Sequence, residues 1–173
     1  MKNKFWRIIT LLLTLVLAIG IFVSCDNAQS DGDGEEETKV SEFAIKANGV
    51  TVELGKKADS TLKKLGEPTS KQNTGNCGGL GETVRYDYSS FVLVVVEYVD
   101  GDNVIDQIEL RNDGAETTKG IYIGSAEADV KAKYGEADET VGGTLVYKDG
   151  DRRLEIGISD GDVSTIVLRV DSK

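Results

Sequence analysis

Histidine is absent from this chain. That removes the commonest general base, the commonest metal ligand, and the Ser-His and Cys-His nucleophile pairs. Acid-base chemistry would fall to carboxylates, and the sequence singles out no facing pair among its 30 acids. Cysteine is nearly as scarce: Cys25 and Cys77 are the only two, too few with no histidine to hold a structural metal. Positive charge is also in deficit, with 20 Lys and Arg against 30 acids and a net charge of −10. Such a field repels nucleic acid and anionic headgroups. These absences predict a protein that is not an enzyme, takes no cofactor or metal and binds no nucleic acid.

Long apolar runs are absent too, apart from residues 8–23, which are broken only by Thr10, Thr14 and Gly20. This run falls short of the roughly 20 residues that span a bilayer comfortably. It follows a basic head carrying Lys2, Lys4 and Arg7 with no acid, the pattern of an export signal over residues 1–24. The run ends in "FVSC", which resembles the bacterial lipobox, with Phe22 where Leu, Val or Ile is usual. The resemblance implies cleavage before Cys25 and a diacylglyceryl thioether on its sulfur. The alternatives are an ordinary signal peptide with an incidental thiol, or an uncleaved signal anchor. Two acyl chains suffice for stable attachment, so the lipid bilayer is the expected partner of acylated Cys25. The expected location is the cell membrane, lipid-anchored and facing outward. Loss of three basic residues with the signal would move the charge from −10 to −13.

Residues 26–39, "DNAQSDGDGEEETK", carry no large apolar side chain and cannot bury enough surface to order themselves. They predict a flexible acidic tether, completing a segment 25–40 ahead of a globular domain at 41–173. Within that domain, "LGKKADSTLKKLGEP" (54–68) aligns without a gap on "IGSAEADVKAKYGEA" (123–137), and "IELR" (108–111) matches "IVLR" (166–169). The match predicts two repeats, one about 41–112 and the other about 117–172. Each is expected to run strand, helix, then three strands. Alternation at Val50, Val52 and Leu54, and at Ile121 and Ile123, predicts the opening strands. Ala58, Leu62 and Leu65, and Ala126, Val130 and Tyr134, share helical faces that end at Gly66 and Gly135. Strands are expected over 83–88, 91–99 and 104–111, then over 144–148, 152–158 and 163–170, with Asp-Gly turns between them. The expected fold is α+β: two tandem β-α-β-β-β repeats, with short helices on one face of an antiparallel sheet.

The "LGEP" helix-to-turn signature followed by strands resembles the tandem-repeat fold of beta-lactamase inhibitory protein and the small lipoprotein of the outer-membrane barrel-assembly machinery. The chain is also similar to lipoproteins of uncharacterised function from clostridia-like bacteria, through Asn76-Cys77, Gly81, Tyr86, Tyr88 and Phe91, and then Thr118, Gly120, Ile121, Ile123 and Gly124. The likeness covers most of residues 45–171. It implies a membrane-anchored extracytoplasmic module that binds or scaffolds a protein or peptide without catalysis, or alternatively an envelope-assembly factor. A small hydrolase or redox protein using Cys77 is the remaining alternative.

The glycine-rich "NTGNCGGLGET" (73–83) lacks the helix start and the Lys that a phosphate loop needs. Cys77 is either a buried small apolar residue or a thiol open to an outside partner. From Gly66 to Arg111 is 45 steps and from Gly135 to Arg169 is 34, so the first half is longer by 11, much of it placeable between Pro68 and Thr83. The expected binding loop is therefore Asn76, Cys77, Gly78 and Gly79 with Tyr86 and Tyr88 on the strand that follows. The plainer reading is that Tyr86, Tyr88 and Phe91 simply pack.

Overall fold

The computed structural model describes residues 41–76, 81–99 and 101–171. The protein is mainly antiparallel sheet with two helices, an α+β arrangement. In chain order the elements are β1 (Ala44–Ala47), β2 (Val50–Glu53), α1 (Ala58–Leu65), β3 (Ser70–Asn76), β4 (Gly81–Asp87), β5 (Phe91–Tyr98), β6 (Val104–Leu110) and β7 (Ala115–Thr117). These are followed by α2 (Glu127–Tyr134), β8 (Glu139–Val141), β9 (Thr144–Asp149), β10 (Arg152–Ser159) and β11 (Asp162–Val170).

Eight strands form one sheet in the order β3-β4-β5-β6-β11-β10-β9-β8, and a three-stranded sheet runs β2-β1-β7. The large sheet is a meander from β3 to β6 and another from β8 to β11, joined where β6 pairs antiparallel with β11, Ile108 opposite Leu168 and Leu110 opposite Ile166. Two-residue turns with positive φ at both positions, Asn48-Gly49 and Asp160-Gly161, close β1–β2 and β10–β11. Their hand matches the strand twist.

Alternation decides which face is buried. Tyr86, Leu93, Ile108, Leu168, Leu154 and Tyr147 oppose one another across six strands, and all six are buried. They belong to one apolar core with Ile45, Val52 and Leu54 of the small sheet region and Ala58 and Val130 of the helices. Leu62 and Leu65 of α1 and Tyr134 of α2 pack against the same core. The core thus lies between the large sheet and a second layer of small sheet and helices.

Each helix is eight residues long, with acids in the first turn and lysines in the last, as the helix dipole favours. Each stops at a glycine whose N–H returns to the helix, Gly66 to Leu62 and Gly135 to Lys131. The next strands reach back to the same points. Tyr88 donates its hydroxyl to the Gly66 carbonyl at 3.3 Å, and Tyr147 donates to that of Gly135 at 3.2 Å.

Three expectations need correction. Four strands follow each helix rather than three, because β3 and β8 precede the predicted ones. Ile121 and Ile123 form no strand; the second opening strand is β7. The backbone there is engaged locally: Thr117 donates to Ile121, Tyr122 to the Ser125 hydroxyl, and Gly124 to Val163. These local bonds replace a ladder at Ile121 and Tyr122, and Ile121 is nevertheless buried. Finally, the opening strands do not extend the main sheet but pair with each other through β1.

Tyr134 offers a test of core burial. Its ring lies 5.1 Å from that of Tyr147, and its hydroxyl is buried without a well-aligned hydrogen bond. Burial pushes the phenol up to about 12, against a smaller opposing pull from the Thr117 hydroxyl. The unfolded chain would ionise near 10 while the folded chain holds its proton, so stability should fall as pH rises from 10 toward 12. The loss attributable to Tyr134 approaches about 3 kcal/mol. Tyr134→Phe should be near-neutral at pH 7 and more stable than the parent at pH 11, read by urea unfolding at both pH values. Equal alkaline losses in the two proteins would contradict the assignment.

Candidate functional site

A cleft opens where α1 ends and the β3–β4 hairpin begins, with a volume of about 430 Å³. Leu62, Lys63, Gly66, Glu67 and Pro68 form one wall; Lys71 of β3 with Tyr86 and Tyr88 forms the other. Local sequence sets this shape. Gly66 ends the helix, Pro68 prevents its resumption, and the chain then enters β3 with Lys71 directly opposite Tyr86.

The aromatic floor is rigid. Tyr88 stacks on Phe91 with ring centroids 4.8 Å apart and planes 15° from parallel, while its hydroxyl is tied to Gly66. The Tyr86 hydroxyl donates to Glu97 Oε1 at 2.9 Å, and the Lys71 ammonium sits 4.9 Å over the Tyr86 ring. Burial raises both phenols above their usual range; at Tyr86 the Lys71 contact opposes that shift and Glu97 adds to it. Lys71 is raised first by its contact with the Tyr86 hydroxyl and further by Glu97. At pH 7 the floor is therefore neutral and the ammonium fully charged. Lys71 Nζ lies 3.9 Å from Glu97 Oε1, beyond hydrogen-bond range, so the ammonium keeps donors for another acceptor.

The cleft offers two phenols, two lysines, one exposed carboxylate and apolar walls, with no nucleophile–base pair among its lining residues. Among the described residues no group of three Cys, Asp or Glu side chains is placed to hold a metal ion. Asp106, whose carboxyl is raised by burial, lies on β6, two strands from β4. A second depression of about 250 Å³ over the β1–β2 turn and β7 is shallower and lined by no aromatic residue.

Of the residues expected from sequence, Tyr86 and Tyr88 both line this cleft. They are also core residues, each 7% exposed, so the packing reading and the binding reading describe two sides of the same rings. Asn76 ends β3 opposite Glu82, four residues from Tyr86 and roughly 13 Å along the strand at the usual rise. The structure does not bring it to the tyrosines. Cys77, Gly78 and Gly79 lie outside the described residues, as does Cys25. The extra length of the first half is partly accounted for: β3 has seven residues where β8 has three. Sequence reasoning missed Lys71, Pro68 and Leu62 as lining residues. The usable signal was Pro68 closing the helix three residues before a lysine.

The opposite face of the sheet is ion-paired. Asp87 takes Arg85 and Arg111, each at 3.2 Å, and Glu155 takes Arg169 at 2.5 Å and Arg153 at 3.5 Å. Such partly exposed pairs contribute little each. Among the described residues no helix is long and apolar enough to cross a membrane. No protein-family model matches the chain, and no curated protein or solved structure matches it either.

Proposed function

We propose that this chain is an outward-facing lipoprotein, held at the cell membrane by acylated Cys25, whose folded domain binds a protein or peptide without catalysis. The cleft at Tyr86, Tyr88 and Lys71 is its contact site. The observation that carries the binding reading is that this cleft combines a rigid aromatic floor with an ammonium that has spare donors. Rigid tyrosines are among the residue types that concentrate binding energy at protein contacts. Anchoring rests on the basic head, the short apolar run and Phe22-Val23-Ser24-Cys25, with the acidic stretch 26–39 as the leash between membrane and domain.

We also infer that the domain arose from two related units, with β6 and β11 meeting between them. Support comes from the aligned helices, the paired caps at Gly66 and Gly135, and the matching bonds from Tyr88 and Tyr147 to those caps. The two units differ at the cleft: Leu65 of α1 aligns with Tyr134 of α2, whose ring packs on Tyr147. The site belongs to the first unit.

The reading is tested by placing a photo-crosslinking amino acid at Lys63, on the cleft rim, and at Glu109, on the ion-paired face, in cells carrying the full chain. One discrete crosslinked protein from position 63 and none from 109 is expected. Crosslinking from 109 alone, or from neither, would overturn the cleft as the contact site.

A further inference from the structure

We propose that the free edge of β3, over residues 70–73, accepts an extended segment of a partner protein as a ninth strand of the large sheet, with an acidic side chain of that segment seated beside Lys71 and Lys63. This rests on the cleft reading above and specifies its partner chemistry. Among the described residues β3 is the outermost strand and pairs only with β4. Its residues 71–75 are exposed, so the outer row of backbone N–H and C=O groups is open to another chain. Of the other edges, β7 and β8 run only three residues each, and β2, at four, lines no part of the cleft.

The pairable stretch has a definite end. A bulge between Asn73 and Gly75 interrupts the register, with the Gly75 N–H taken by Asn73 Oδ1 at 3.1 Å and the Thr74 hydroxyl by the Thr83 carbonyl. An added strand is thereby confined to residues 70–73, next to the cleft. There the pleat fixes the side-chain direction. Lys71 faces Tyr86 across the β3–β4 ladder, so the residue of an added strand opposite Lys71 projects onto the same face and into the cleft mouth. In strand addition the backbone supplies affinity and such side pockets supply selectivity.

Charge selects the side chain. Lys63 and Lys71 border the cleft, and Lys64 follows on the same helix end. Glu67 and Glu97 oppose them, Glu97 with its Oε1 3.9 Å from Lys71 Nζ, so three ammoniums against two carboxylates leave one positive charge in excess at the cleft. A single carboxylate beside Lys71 gains a charge-assisted hydrogen bond. Because the whole domain is acidic, the flanks of the segment should be neutral or basic.

The test uses the full chain in detergent micelles and the peptide Arg-Thr-Val-Thr-Glu-Thr-Val-Thr-Arg, whose central Glu and flanking Val share one face. Saturable binding is expected, together with slowed hydrogen exchange at backbone amides within residues 70–73. Replacing the central Glu by Lys should weaken binding about tenfold, the worth of a hydrogen bond to a charged group, and Lys71→Glu should reverse that preference. No saturable binding, unchanged exchange in β3, or indifference to both charge changes overturns strand addition. If the Lys63 crosslink is present while this peptide fails, the cleft reading survives and the edge does not.

Discussion

Phe91→Ala is expected to cost about 3–5 kcal/mol, the range for emptying an aromatic side chain from a packed core. Phe91 has no exposed surface, stands opposite Leu110 and stacks on Tyr88. Alanine would remove the ring and also the surface against which Tyr88 is held, so the hydrogen bond from Tyr88 to Gly66 should loosen with it. A loss of this size is a large part of a typical domain's 5–15 kcal/mol. Urea unfolding should show a strongly lowered midpoint at an unchanged slope. Because the cleft floor depends on the same stack, the crosslink from Lys63 should weaken even where the variant is still folded. A midpoint within error of the parent would mean that Phe91 does not support the sheet and helix layers as described.

Cys25→Ala is expected to abolish stable membrane attachment. The proposed anchor is covalent, and alanine has no sulfur to carry the thioether. Two acyl chains hold a protein where one is marginal, so removing the attachment point should move the domain wholly into the soluble fraction or leave an uncut precursor. The folded domain should be unaffected, since the core formed by the described residues begins at Phe43. Carbonate-washed membranes probed alongside the soluble fraction give the readout. Full processing and unchanged membrane fractionation of the variant would contradict lipid anchoring.

Legibility from sequence followed burial closely. β5, with four of its eight residues buried, and β4, β6, β9, β10 and β11 were visible because one face of each packs on the core and alternation reports that. Both helices and both glycine caps were visible for the same reason. β3 was not, because its residues 71–75, "KQNTG", are all exposed: an edge strand held by a single ladder has no apolar face to display. β8, three residues all exposed, was hidden likewise. Ile121 misled in the opposite sense, since its burial comes from a turn that plugs the core rather than from a strand. At the site, the tyrosines were legible as unusual residues after a glycine-rich loop. The second wall was not, because the fold rather than the sequence brings Pro68 and Lys71 against them. The first half's excess length pointed to the right hairpin, although the cleft lies at its base.

The most direct measurement of the central claim is the mass of the mature N-terminus from chain purified out of native membranes. The account predicts a peptide that begins at Cys25 and carries the added mass of a diacylglyceryl thioether. A membrane-associated chain that begins at Met1, or in which Cys25 is a free thiol, would contradict it.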